Sequence, residues 1–418
     1  MTSSNARRTA AALLVLAPLS AAADDWQLGG HVKYQAALNN YDATSVFGAG
    51  GSVTAFDQEA GVRLKAEKRS GPWDFRLHYD LGLIHGDTLL ASRAVSLPFG
   101  TYGLPTDSSR LFNLTGTLYD EGRAAAVQRI DRASVGYARG QYAFRIGRDA
   151  VSWGNGLVFQ PMDIFNPFSP TAVDKEYKAG DDLVYGQLLF ANGNDLQGIL
   201  VPRRDASGTL AGGSSSLATK YRVRADGTDI DWLLARHYNE SLAGAGVGID
   251  WGGAVVRGDV LATATSGATI LSGVANLAYS WTWANHNVSG YAEYFRNGFG
   301  QGDGDYSSAA LAANTGLTAR LSRGELFNLG RDYLTGGLTI ELTPRWLLSP
   351  MVIWNMNDGS ALAQFSASFD WKQNATLLLG GTLPLGPLGT EFGGIPLSTP
   401  GRYYRPALGA YARVARYF

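Results

Sequence analysis

Charged side chains recur at every second position along several stretches of this chain, and these rows are where its chemistry would lie. Glu59, Arg63, Lys65 and Glu67 form one row, and Asp74, Arg76, His78 and Asp80 form the next. Arg132 and Arg145 follow, then Lys220, Arg222 and Arg224, then Arg257 with Asp259, and later Glu293 and Glu341. Bases set opposite acids across a wet interior create a transverse field and a polar path for solutes. The same groups also serve simply to pair with one another and hold water. Both signs are present, so selectivity stays open, and the basic cluster leans towards anionic solutes.

Other chemistries need constellations that are weak here. Lipid hydrolysis requires a Ser–His pair with an orienting third group. Of the five histidines (His31, His78, His85, His237 and His286), His286 with Ser280 or Ser289 makes the best pair. It falls at a tight turn, and no enzyme activity is expected from it. Asp303 and Asp305 in Gly302-Asp-Gly-Asp-Tyr306 offer too few oxygens for Ca²⁺, so no metal site is expected. The absence of cysteine removes disulfides, zinc-thiolate sites and c-type haem attachment, and no cofactor is expected. A net charge of −1 argues against nucleic acid as a partner.

The elements that would carry these rows are strands. From Trp73 to Leu83, Trp73, Phe75, Leu77, Tyr79, Leu81 and Leu83 fall on one face while the charged row falls on the other. Strict alternation means one apolar and one polar environment. In a soluble sandwich the apolar face is core; in a membrane barrel it meets lipid and the polar face meets a watery lumen. The connections distinguish the two. Tight turns are expected at Ser70-Gly71-Pro72, Arg139-Gly140, Asn192-Gly193-Asn194, Asp226-Gly227, Gly252-Gly253, Ala284-Asn285-His286, Thr343-Pro344-Arg345 and Lys372-Gln373-Asn374. Between them lie mostly long connections, near 39–55, 85–125, 153–182, 202–216, 298–325 and 384–405, with short ones near Asn239 and Asp358-Gly359. Short turns on one rim and long loops on the other are the outer-membrane pattern. This predicts an all-β transmembrane antiparallel barrel of about 18 strands, with 16 as the alternative. Trp26, Trp73, Trp281, Trp283, Trp346 and Trp371 sit near strand ends, as interfacial girdles do.

One segment breaks the pattern. Residues 145–182 follow the fifth strand and hold Trp153, Leu157, Val158, Phe159, Met162, Ile164, Phe165 and Phe168. That much apolar surface requires burial, and Pro161, Pro167 and Pro170 forbid regular pairing. The expectation is a third outer loop folded into the lumen, where it constricts the pore. Its Asp163, Asp174, Glu176, Asp181 and Asp182 would face Arg145, Arg148 and neighbouring wall arginines, with Trp153 and Asn166 in the same constriction. Arg63, Lys65, Arg76, Arg132 and Arg222 complete the expected pore-lining set.

Gly147-Arg148-Asp149, Trp153-Gly154, Asn166-Pro167 and Gly180 make up a GR(Q/D)xxxWG…NP pattern. This segment resembles that of a group of Gram-negative outer-membrane barrels distantly similar to porins and alginate-export channels. Here Asp149 stands where Gln is expected. The resemblance covers about forty residues strongly; it implies an outer-membrane channel or exporter and names no cargo.

The ends agree with this reading. Arg7 and Arg8, an apolar run from Thr9 to Leu19, and Ala21-Ala22-Ala23 read as a signal peptide over 1–23, leaving a barrel over 24–418. About eleven apolar residues are too few to span a bilayer, which needs roughly 20. At the other end Leu408, Ala410, Ala412, Val414 and Phe418 share a face, as in the terminal strand by which such barrels are recognised for assembly. The expected partners are therefore outer-membrane lipid and lipopolysaccharide, the barrel-assembly machinery, a small-molecule solute and a periplasmic transport component. Both termini are expected in the periplasm.

Overall fold

The computed structural model describes residues 26–48, 53–95 and 103–418. The signal-peptide reading over 1–23 lies outside them. Strands β1 (Trp26–Tyr41), β2 (Val53–Ser70) and β3 (Trp73–Gly86) open the chain, followed by helix α1 (Asp87–Ser92). Next come β4 (Thr115–Glu121), β5 (Ala124–Arg139), β6 (Tyr142–Asp149), β7 (Asp181–Leu189), β8 (Asp195–Val201) and β9 (Ser216–Ala225). The wall continues through β10 (Thr228–His237), β11 (Glu240–Trp251), β12 (Ala254–Ala264), β13 (Thr269–Trp283) and β14 (His286–Arg296). Helices α2 (Ser308–Ala313) and α3 (Thr315–Ser322) precede β15 (Asp332–Thr343), β16 (Trp346–Asn355), β17 (Ala361–Lys372) and β18 (Ala375–Leu385). A small pair, β19 (Ile395–Pro396) and β20 (Tyr403–Tyr404), leads to β21 (Leu408–Tyr417).

Every wall pairing is antiparallel, and β21 pairs with β1 to close an 18-stranded transmembrane barrel, within a 19-stranded sheet that also holds β4. The turns expected from the sequence join the strands at one rim. The alternation also holds: Leu64, Leu77, Ile146, Leu217 and Val260 are exposed on the outside, while Arg63, His78, Lys220 and Asp259 are buried within. The outer face is thus an apolar surface for lipid.

β4 is the piece that the sequence did not announce. β6 leaves the wall at Asp149, whereas its neighbour β5 continues as far as Ala124. β4 pairs with Ala124–Arg129 and covers the edge that β6 abandons, leaving no open ladder there. Gly147, just before the departure, has φ +119° and lies where a Cβ would sit 2.1 Å from the Ala133 carbonyl oxygen, so only glycine fits.

Apolar packing is concentrated inside, where loops meet the wall. Trp153, Met162, Ile164 and Phe165 pack on Leu183, Ile199, Val201, Leu233 and Leu261. Val158 and Phe159 pack on Val274, Phe295, Tyr333, Ile353, Leu362 and Phe392. A third cluster joins Leu311 and Leu317 of the helices to Tyr306, Leu329 and Ile395. It builds a roof over part of the long-loop rim. Ser307 and Asn314 cap the two helices by accepting from Ala310 N and Leu317 N.

Candidate functional site: the lumen and its belt

The segment between β6 and β7, residues 150–180, is folded into the lumen and runs around it at mid-height as a belt. It starts against β7–β12 through Trp153, whose indole N–H donates to Gln197 at 2.8 Å. Asp259 on β12 then accepts from the backbone N–H and side-chain amide of Asn155, both at 2.7 Å. Glu293 on β14 accepts from three consecutive backbone N–H groups, those of Leu157, Val158 and Phe159, at 2.5, 3.0 and 2.8 Å. Further round, the Thr171 carbonyl accepts from Gln364 on β17. Asp174 and Glu176 accept from Lys33 on β1 at 2.7 and 2.5 Å, and Arg413 on β21 also reaches Asp174 at 3.1 Å. The Arg63 guanidinium lies 4.0 Å from the centroid of the Tyr177 ring. The belt closes on itself where Lys178 pairs with Asp163 at 2.5 Å. Burial pushes the Asp163 carboxyl up to about 6, against the pull of Lys178, and burial lowers the Lys178 amine.

Several expected pairings are therefore different from those formed. Asp163 meets Lys178, and Asp174 and Glu176 meet Lys33; none of the three meets Arg145 or Arg148. The belt travels too far round the barrel for them to remain near β6. Arg145 instead pairs with wall residues Asp149 and Asp74. Asp181 and Asp182 are the first two residues of β7 and do meet arginines: Asp182 pairs with Arg148, and Asp181 with Arg203 and Arg110. Asn166 has φ +51° and donates to the Ala179 carbonyl.

The wall arginines are matched by aspartates. Arg63 pairs with Asp80 and Asp131, Arg132 with Asp131 and Asp149, Arg76 with Asp74 and Asp149, and Arg222 with Asp231. Lys65 reaches the Tyr177 hydroxyl at 3.3 Å. Most of the basic ladder read from the sequence is thus paired, because aspartates lie on the same inward faces; Lys65 meets only Tyr177.

The histidine and serine pairing also differs. His286 Nδ1 lies 3.1 Å from the Glu341 carbonyl, and Ser280 and Ser289 bond each other. A different trio is assembled by the fold: Ser216 Oγ is 2.7 Å from His237 Nδ1, and His237 Nε2 is 3.0 Å from Glu325. Ser216 also accepts from Arg203 and is only 1% exposed. With the Arg320–Glu240 ion pair, the trio clips the roof to the β10–β11 turn. No local spacing signalled it, since its members lie 21 and 88 residues apart.

Two results are expected from these anchors. In Glu293→Ala, three buried N–H groups lose their acceptor, at about 1–3 kcal/mol for each unsatisfied group. Hydrogen exchange at the amides of 157–159 should accelerate strongly; unchanged exchange would show that packing alone holds the belt. The second concerns Glu391, which fixes the 386–407 loop by accepting from Leu329 N, Asn355 and Tyr333. Burial raises its carboxyl from 4.5 to about 7. A raised acid contributes stability that is full below its unfolded pKa and is lost as pH climbs through the folded one. Tryptic cleavage after Arg402, normalised to an unfolded peptide, should therefore quicken between about pH 5 and pH 8. Glu391→Gln should flatten that trend, and a trend surviving the substitution would assign it to another group.

Belt and roof leave space along one side. A cavity of about 660 Å³ is lined by the upper lumen face of β1, from Gln35 to Tyr41, and by Asp57 and Glu59 of β2. A second, of about 400 Å³, continues below it past Lys33, His31 and Arg63. Both are bordered by Gln35, Glu59 and Ile84. Between them they follow β1 from residue 41 to residue 31, a run of roughly 33 Å at the usual strand rise.

No protein-family model and no curated sequence matches the chain. Among solved structures it is similar to OccAB2 of Acinetobacter baumannii, at 11% identity and a TM-score of 0.53, covering 94% of this chain and 98% of that one. It is also similar to Wzi of Escherichia coli, at 9% identity and a TM-score of 0.52, covering 94% and 84%. OccK5 (OpdH) of Pseudomonas aeruginosa follows, at 8% identity and a TM-score of 0.50, covering 94% and 98%. At these identities the likeness is one of fold: a closed barrel of the outer-membrane porin type.

Proposed function

We propose that this protein is an outer-membrane channel of a Gram-negative envelope, passing small polar solutes, with the 150–180 belt as its constriction. The observation that carries the proposal is the pair of stacked cavities along the β21–β1–β2–β3 wall, beside a belt and roof that pack on the opposite wall. In this reading the solute path is off-centre. Lys33, Arg63, Asp174 and Tyr177 line it, whereas Arg132, Arg145, Arg148, Asp181 and Asp182 hold the wall and the belt together. The short-turn rim, which carries Trp26 at the start of β1, Phe418 just past the end of β21 and exposed Trp73, Trp283 and Trp371, faces the periplasm. Lipid and lipopolysaccharide contact the outer face, and assembly machinery takes the β21 strand.

Single-channel recording of the refolded barrel in a planar bilayer tests this. Steady, small conductance supports it, and electrical silence of a correctly folded barrel refutes it. A second reading is a partner barrel in an envelope transport complex, favoured by how much of the lumen the belt and roof occupy. Wzi is described as a carbohydrate-binding β-barrel involved in capsule assembly, so a glycan is one candidate occupant. Stable capture of a periplasmic component by a silent barrel would support that reading.

A further inference from the structure

The neck between the two cavities is a row across four neighbouring strands. In register, Arg413 of β21 faces Gln35 of β1, Gln35 faces Glu59 of β2, and Glu59 faces Ile84 of β3. The two charges on this row are not equivalent. Arg413 donates to Gln35 at 3.0 Å and pairs with Asp174 at 3.1 Å. Glu59 is exposed to the lumen and forms no hydrogen bond or salt bridge among the described residues, although the charge of Arg413 acts on it across the row. Below the neck, Lys33, Arg63, Arg129 and Arg413 are each paired with Asp80, Asp131, Asp174 or Glu176. Above it, the larger cavity is bordered by Asp57, Glu59 and Glu391 and by no lysine or arginine among the described residues. The basic groups that border the lower cavity are therefore each held by a salt bridge, and the one charge at the junction without a salt bridge is negative.

We infer that Glu59 sets the charge preference of the passage, favouring cations over anions at the neck. This rests on the channel reading above. A fixed charge a few ångströms from a permeating ion acts on it directly, whereas a matched pair presents only a dipole. A solute with an amine or other positive group is then the class admitted, and a free carboxylate or phosphate is disfavoured.

The test is the reversal potential of single channels under a KCl gradient, for the wild type, Glu59→Gln and Arg413→Gln. The wild type should be cation-selective. Glu59→Gln should lower the cation-to-anion permeability ratio by up to about thirtyfold, since one charge near 4 Å in water is worth about fivefold in favour of the cation and as much against the anion. Arg413→Gln should raise the ratio, and it keeps the inference testable if the first variant fails to assemble. A conducting wild type whose ratio is unmoved by either substitution, or which prefers anions, overturns the role of Glu59 while leaving the channel intact. A folded but silent wild type overturns both.

Discussion

Replacing residues 151–179 with a turn of a few residues is expected to raise single-channel conductance several-fold. The replacement is geometrically mild, because Asp149 and Asp181 already face each other in register at the end of the β6–β7 pair. A short hairpin turn can close there. What is removed is the belt with all of its bridges: to Asp259 and Glu293 on the far wall, to Gln364, and to Lys33 and Arg413. An 18-stranded barrel is wide enough to hold an aqueous channel once nothing crosses it. The deletion also uncovers Leu183, Ile199, Val201, Leu233 and Leu261, which would then face lumen water. Lower thermal stability should therefore accompany the higher conductance. Conductance that stays at the wild-type level, with the barrel shown to be folded, would move the restriction from the belt to the roof. The cation preference at Glu59 should be lost or reversed in the deletion, because Asp174 and Glu176 go with the belt and leave Lys33 and Arg413 without their acidic partners beside it.

The wall was legible from sequence because its information is local. Alternation between Trp73 and Leu83 places Arg76 and His78 inside without reference to any other strand, and Gly-, Asn- and Pro-containing turns mark each hairpin. The belt was legible as a buried loop for a similar reason: eight large apolar residues beside three prolines can neither pair nor stay wet. Its route was not legible. Whether Asp174 meets Arg145 or Lys33 depends on how far round the barrel the chain travels, and that is fixed by carboxylates such as Asp259 and Glu293, over a hundred residues away. β4 was hidden because it compensates for an event elsewhere, the early departure of β6. The basic ladder misled because a sequence shows which charges point inward but not which are matched. Glu59 reads as one more member of that ladder until the pairings of its neighbours are known.

Arg148→Met is expected to destabilise the barrel by about 3–5 kcal/mol, the cost of breaking a buried ion pair from one side. The guanidinium lies at the point where β6 leaves the wall, and its side chain is 2% exposed. It forms a bidentate pair with Asp182, at 2.9 and 3.0 Å, and a further bond to Asp107 at 2.6 Å. It also donates to the Phe112 carbonyl at 2.7 Å, tying the 103–114 loop to the same junction. Burial alone would raise the Asp107 carboxyl, but hydrogen bonds from Arg148 and Arg110 overcome it and hold the group below its ordinary range. Without Arg148, two carboxylates remain in a closed site with too few donors, so the loss should show as a lower urea midpoint of the refolded barrel. Arg148→Lys keeps one charge but loses the planar fork, and should fall between the two. The diagnostic variant combines Arg148→Met with Asp107→Asn and Asp182→Asn. If uncompensated charge is the cause, neutralising both carboxylates recovers much of the stability. If the triple variant is as weak as the single one, the shape of the guanidinium, wedged between β5, β7 and the 103–114 loop, is what this junction requires, and charge is secondary.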